Sequence, residues 1–238
     1  MTVRARGVLY VFVYSPALML ALALMQDLEW GIGDQRIDFI DFVIPGMAAF
    51  LAAHLFQDIV TAVAASYRAR GVLKRLAVTP VSSSLVVAVQ MLTYVLFGLL
   101  NGALMLAVGK LVGVNMTISA NLLWAVLLVG LVVLTALGFA FAIAGFMPNP
   151  QSANALSGAL GLPLAFFTGA TYPIEALPGA LPDIVPWAIP FTSPIRAIRG
   201  IILDGTSITA YGTEVLIGLG WLLVAFTLAA TGYKFTRE

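Results

Sequence analysis

The side chains best placed to do chemistry are His54 and Asp58, which stand inside an apolar run with Gln57 beside them. Four residues apart, His54 and Asp58 share one face of a helix. An ionisable pair at membrane depth is costly, and such groups usually face a bundle interior or water, where they line a polar passage or relay protons. The plainer reading is an intrahelical His–Asp pair that helps helices pack, or the polar end of a span, since Arg68 follows Asp58 by about three turns. His54 is the chain's single histidine, so with one carboxylate it makes no metal site. The absence of cysteine removes disulfides, thiolate metal sites and a catalytic thiol. Gly102–Lys110, GALMLAVGK, superficially resembles a phosphate-binding loop. It has six residues between its glycines where that loop needs four, and an apolar helix precedes it where that loop needs a strand. The chain therefore carries no nucleotide site that its sequence reveals.

A second concentration of chemistry lies at residues 66–84, SYRARGVLKRLAVTPVSSS. Arg68, Arg70, Lys74 and Arg75 fall within eight residues without an acidic partner, a third of the chain's 12 Lys and Arg. Val72, Leu73, Leu76 and Ala77 recur at helical spacing, while Lys74 and Arg75 fall on the other side. Gly71 marks a start and Pro80 a stop, so a short amphipathic helix is predicted over 71–79. It could lie on anionic lipid, which contributes about 1 kcal/mol per cation near the surface. It could equally dock a cytoplasmic partner.

The elements that hold these residues are membrane helices. The chain is 61% hydrophobic and 10% charged, with a mean hydropathy of +1.02, far from the roughly 25% charge of soluble domains. Apolar runs long enough to cross about 30 Å of hydrocarbon recur along it. Six spans are predicted, at 8–26, 42–65, 85–109, 121–146, 152–172 and 211–233, with Pro16 interrupting the first. The basic start resembles a signal peptide but lacks a small-residue cleavage site, so a retained span is expected. Strict alternation is absent, which excludes a barrel. With both termini inside, the inner segments hold eight of the 12 cations (Arg4, Arg6, Arg68, Arg70, Lys74, Arg75, Lys234 and Arg237). Arg36, Lys110, Arg196 and Arg199 remain outside, and the first outer loop is acidic at Asp27, Glu29, Asp34 and Asp38. The positive-inside rule thus places both termini and the basic loop in the cytoplasm.

The connection before the last span carries prolines at 173, 178, 182, 186, 190 and 194, yet stays apolar. Short proline-bounded pieces of this kind fit re-entrant or interfacial helices at the outer face, with Tyr172 and Trp187 at headgroup level. Asn115–Thr117 is a glycosylation sequon in an outer loop. Gly98–Gly102, GLLNG, fits close helix packing, and Asn101 is available for an interhelical hydrogen bond.

Three stretches in order resemble the type 2 ABC exporter permease family. IDFIDFVIPGMAAF is similar to that family's Phe-x-x-Pro-Gly start of the second span. RARGVLKRLAVTPVS is similar to its coupling-helix stretch, and YPIEALPGALPDIVPWAIPFTSPIRAIRGIILDG to the segment before its last span. Together with the span pattern, the resemblance covers residues 37–238. Arg70 and Val72 stand where the family usually has an acidic residue and Thr, and only about seven residues precede the first span, where members typically have an inner-surface helix.

The resemblance implies an all-α, six-span permease forming one domain over 1–238, in a prokaryotic plasma membrane. It would pair with a second permease subunit, identical or not, and with ABC ATPase subunits that bind ATP and Mg. The chain itself would bind no cofactor, perform no catalysis and have no nucleic-acid partner. Arg70, Gly71, Val72, Leu73, Lys74, Arg75, Leu76, Thr79 and Pro80 would form the coupling element. His54, Gln57, Asp58, Pro173, Pro178, Pro190, Arg196 and Arg199 would belong to the substrate path or its outer gate. An apolar path fits an amphiphile, a drug or a lipid-linked molecule. The competing readings are a proton-coupled secondary carrier using His54 and Asp58, for which no inverted repeats are found, and a membrane scaffold without transport.

Overall fold

The computed structural model describes residues 2–24, 29–32, 35–72 and 83–233. Helix α1 (Thr2–Ala23) contains Pro16. A proline inside a helix frees a carbonyl and disturbs the turn before it. There the Ser15 hydroxyl donates to the Val11 carbonyl at 2.7 Å and accepts from Asn101 Nδ2 at 2.7 Å. The helix starts earlier and ends sooner than the predicted span 8–26.

Strands β1 (Glu29–Ile32) and β2 (Gln35–Asp38) pair antiparallel, Glu29 opposite Asp38 and Ile32 opposite Gln35. The all-helical reading missed this hairpin, although the Gly33-Asp34 pair between the strands is a hairpin signal in the sequence.

Helix α2 (Phe39–Ala69) is the axis of the bundle: 89% of its apolar window is buried, so it has neighbours on nearly every side. Around it stand α3 (Ser83–Leu111), α4 (Leu122–Phe146) and α5 (Pro150–Phe167). Pro150 begins α5 where a missing N–H costs nothing, and Asn149 caps it by accepting from the Ser152 amide at 2.8 Å. The chain then passes a 3-10 turn (Ile174–Ala176), α6 (Leu181–Ala188) and α7 (Thr192–Asp204), and α8 (Gly212–Gly232) packs against α4.

By length and composition, four helical segments among the described residues are fit to cross a membrane: Phe39–Ala69, Val87–Leu111, Leu122–Phe146 and Ile208–Gly232. The apolar part of α1, Leu9–Ala23, is shorter, and α5 has 18 residues, about 27 Å of helix. The predicted fifth span to 172 ends instead at Phe167, because Gly169 takes a left-handed φ of +70° and the chain folds back, Thr171 N donating to the Ala165 carbonyl. The proline-rich segment is not a loop. Pro182 starts α6 and Pro190 follows its end, Pro194 stands in the first turn of α7, and a left-handed Gly205 ends α7, which buries Ile195, Ile198, Ile201 and Ile202 completely.

Small residues set the closest approaches. Gly98 faces Val133 and the Ala52 carbonyl, so the GLLNG stretch packs within this chain. At the α4–α8 crossing, a Cβ on Gly145 would lie 2.6 Å from both the Gly232 oxygen and the Tyr233 nitrogen. Backbone cannot move aside as a side chain can. Gly145→Ala is therefore expected to lower thermal stability in detergent by about 1–3 kcal/mol. Gly220→Ala on α8, which meets nothing within 4 Å, should leave it unchanged.

Candidate functional site

Helix α2 is held at both ends by arginines whose guanidinium groups satisfy backbone carbonyls. At its start, Arg199 of α7 donates from Nε to the Phe42 carbonyl at 2.9 Å and from Nη2 to the Gly169 carbonyl at 2.6 Å. Its Cζ lies 3.7 Å from the centre of the Phe42 ring, a cation–π contact. Gly46 leaves the space: a Cβ there would crowd Nη2 at 2.5 Å and the Ala170 carbonyl at 2.9 Å. Two sequence motifs far apart in the chain, Phe-x-x-Pro-Gly at 42–46 and the arginine of α7, thus form one seat. Burial pushes the Arg199 pKa down to about 10, so the group remains cationic at neutral pH.

Arg199 also borders a cleft of about 890 Å³ between the start of α2, α7 and the start of α8. Asp41, Glu175, Asp204 and Glu214 line it along with Arg196. Arg196 sits 4.0 Å from Glu175, both about half exposed, so this pair contributes little. Asp41 accepts from the Asn115 backbone and side-chain nitrogens, each at 2.9 Å, which ties α2 to the chain after α3. Of the predicted gate prolines, Pro173 is buried and caps the 3-10 turn, Pro178 is exposed, and Pro190 sits in the turn between α6 and α7.

At the other end of α2, Arg68 Nη1 donates to the Ala144 and Met147 carbonyls at 2.9 Å and to the Gly145 carbonyl. These are leftover acceptors at the end of α4, which a cation there stabilises. The Tyr233 hydroxyl donates to the Ala64 carbonyl at 3.1 Å. Helix α2 stops just beyond Arg68. Arg70 donates its amide to the Ser66 carbonyl, and Gly71 adopts a φ of +64°. Gly71 thus ends α2, and Val72 directly after it is helical again. Leu73, Lys74, Arg75, Leu76, Thr79 and Pro80, and with them the predicted amphipathic helix at 71–79, lie outside the described residues.

Between the clamps, α2 carries a polar stripe. His54, Gln57, Asp58 and Thr61 share one helical face by spacing. His54, 6% exposed, stacks on Phe50 with ring centres 5.3 Å apart, and its Nε2 lies 3.7 Å from Asp58 Oδ2. The Asp58 carboxylate accepts from the Ser157 hydroxyl of α5, and the Gly161 position leaves room for the imidazole. The sequence reading brought His54, Gln57 and Asp58 together and missed Thr61, Ser157 and Gly161. The spacing from His54 to Thr61, and the small-x-x-x-small pattern at 157–161, were the available signals. Gln57 and Thr61 are at most 1% exposed. Among the described residues, His54 Nδ1, Gln57 Oε1 and Thr61 Oγ1 have no hydrogen-bond partner. Three orphaned polar atoms on one helix face are unusual in a packed interior and mark a place that can take water or a polar ligand group.

This arrangement has a known family. The model for ABC-2 type transporters matches residues 3–203, and the chain belongs to that family. It is a multi-pass membrane protein and a transport permease component that is not itself catalytic; ATP hydrolysis resides in a separate subunit. Comparison with curated proteins found no match.

The Arg199 seat is testable by coupling. Arg199→Lys keeps the charge but loses the planar fork, and Gly46→Ala pushes the guanidinium out of place. Each is expected to destabilise the protein by about 1–3 kcal/mol. The double variant should fall short of the sum by about 1 kcal/mol or more, as groups sharing one contact do, measured by thermal unfolding in detergent. Strict additivity would mean that Gly46 does not serve Arg199.

Proposed function

We propose that this chain is the membrane subunit of an ATP-driven exporter, moving an amphiphilic substrate (a drug, a lipid or a lipid-linked molecule) outward across a prokaryotic plasma membrane. In this reading it has six spans, with α1 and α5 completing the four longer ones, and both termini are cytoplasmic. One domain over 1–238 pairs with a second permease subunit, and ABC ATPase subunits carrying ATP and Mg engage the basic stretch at 70–80. The family supports the ATP-driven mechanism and lends none to a proton-coupled carrier.

The observation that carries the reading is the build of α2. One rigid helix ends at the basic stretch, is bonded there to the end of α4, bears the polar stripe midway, and is seated by Arg199 at its far end. A push on the loop after Gly71 therefore reaches α2 and α4 together. Movement of α2 against α5 would open or close the stripe of His54, Gln57, Asp58 and Thr61 toward substrate. Pro173, Pro178, Pro190, Arg196 and Arg199 belong to the cleft end, which serves as the outer gate. Leu73 and Leu76 would fill a pocket on the ATPase while Arg70, Lys74 and Arg75 pair with its carboxylates, which sets register and encounter rate.

Two measurements test this. Purified in mild detergent from its native membrane, the wild-type chain should bring an ATPase subunit with it, and Lys74→Glu with Arg75→Glu should lose that subunit. No ATPase in either preparation, where a known complex survives the same conditions, would refute the assembly. In the reconstituted complex, Gln57→Leu replaces an unpartnered buried amide by an apolar group, so thermal stability should hold or rise. Substrate-stimulated ATP hydrolysis should fall severalfold. Unchanged stimulation would make the stripe a packing feature.

A further inference from the structure

A second cavity lies away from the polar stripe. Between α3 and α4 runs a groove of about 350 Å³ whose α3 wall includes the exposed Ala103 and Ala107 and whose α4 wall includes Val126 and Val129. Met116 and Ile202 also line it, and Lys110, exposed in the last turn of α3, is the one charged residue in the lining. The size falls within the roughly 300–1,000 Å³ of small-ligand sites.

The flanks identify the surroundings. Leu100 is 59% exposed, Leu123 64% and Leu127 55%. Only 28% of the apolar window of α3 is buried within the chain. The groove therefore opens sideways onto hydrocarbon. Lys110 stands where α3 leaves its apolar run, near the Asp41–Asn115 link. From Lys110 to Leu99, at the groove's far end, is about 16 Å of helix, close to half of the roughly 30 Å hydrocarbon thickness. Among the described residues, the Lys110 ammonium makes no hydrogen bond or ion pair.

From this we infer that the groove is a binding site for one anionic phospholipid, with an acyl chain between α3 and α4 and the phosphate at Lys110. The length matches one leaflet, the walls match a methylene chain, and the single cation sits at the depth of the headgroup. Small side chains at 103 and 107 make the slot, and nothing acidic in its lining competes for the ammonium. The inference is independent of what the protein transports.

The test uses the full chain in nanodiscs of phosphatidylcholine with a trace of phosphatidylglycerol bearing a photoreactive group midway along one acyl chain. Cross-links are mapped by mass spectrometry. The expected result is labelling concentrated within 99–129, well above that of the exposed Leu216 and Leu223 on α8. Lys110→Gln should lower groove labelling by about fivefold, the factor one cation contributes near an anionic surface. The pair Ala103→Phe and Ala107→Phe should abolish it while labelling on α8 persists. Both positions are exposed, so folding, checked by size exclusion, should survive. Equal labelling of groove and α8, equal labelling by a matched phosphatidylcholine probe, or insensitivity to either change would overturn the site. Disulfide formation between copies carrying Ala107→Cys would assign the groove to a second copy and overturn it too.

Discussion

In an apolar bundle no water stands ready for a backbone carbonyl left over at a helix end, so the protein must bring a donor of its own. Two arginines meet that constraint here, Arg68 at the end of α4 and Arg199 at the Gly169 carbonyl past α5, and much of the architecture depends on them. Arg68 collects the terminal carbonyls of α4, and Arg199 joins the Phe42 carbonyl to the chain just past α5. Each guanidinium offers several donors in a fixed plane, which an ammonium cannot reproduce. Together they fasten the most buried helix of the fold at both ends. They also explain neighbouring choices: Gly46 is small to admit Arg199, Gly145 to admit α8, and Gly169 turns so that its carbonyl can accept.

The same helix holds the chemistry. Its ends are pinned to neighbouring elements, while in its middle, among the described residues, His54, Gln57 and Thr61 keep unpartnered polar atoms in a closed interior. A contrast of this kind, fixed ends around a polar centre, suits a member that moves as a rod and exposes its middle to different neighbours. Helix α5 is the natural counterpart. It is shorter than the other long helices, makes much of its contact with α2, and meets the stripe through Ser157 and Gly161.

Much of the fold could be read from the residues. Apolar run length located α2, α3, α4 and α8 to within a few residues, because crossing hydrocarbon demands both length and uniform hydrophobicity. Where those demands relax, the reading erred. The hairpin at 29–38 is too short to show in hydropathy, and α5 ends early because of one left-handed glycine. The segment at 173–204 read as an external, membrane-adjacent piece. The burial of its α7 part, wedged between α2, α4 and α8, follows from packing that proline spacing does not encode.

Sequence alone determined that the chain is a bundle of membrane helices, that His54, Gln57 and Asp58 share a face, and that the cations gather after α2, since each follows from composition or from a period along one element. Only the tertiary structure decided what those residues face. That Arg199 sits on Phe42, that Arg68 closes α4, and that Asp58 meets Ser157 are contacts between positions 157, 76 to 79 and 99 residues apart. No local period reaches so far: such pairs are set by how helices cross and by where a glycine lets them approach.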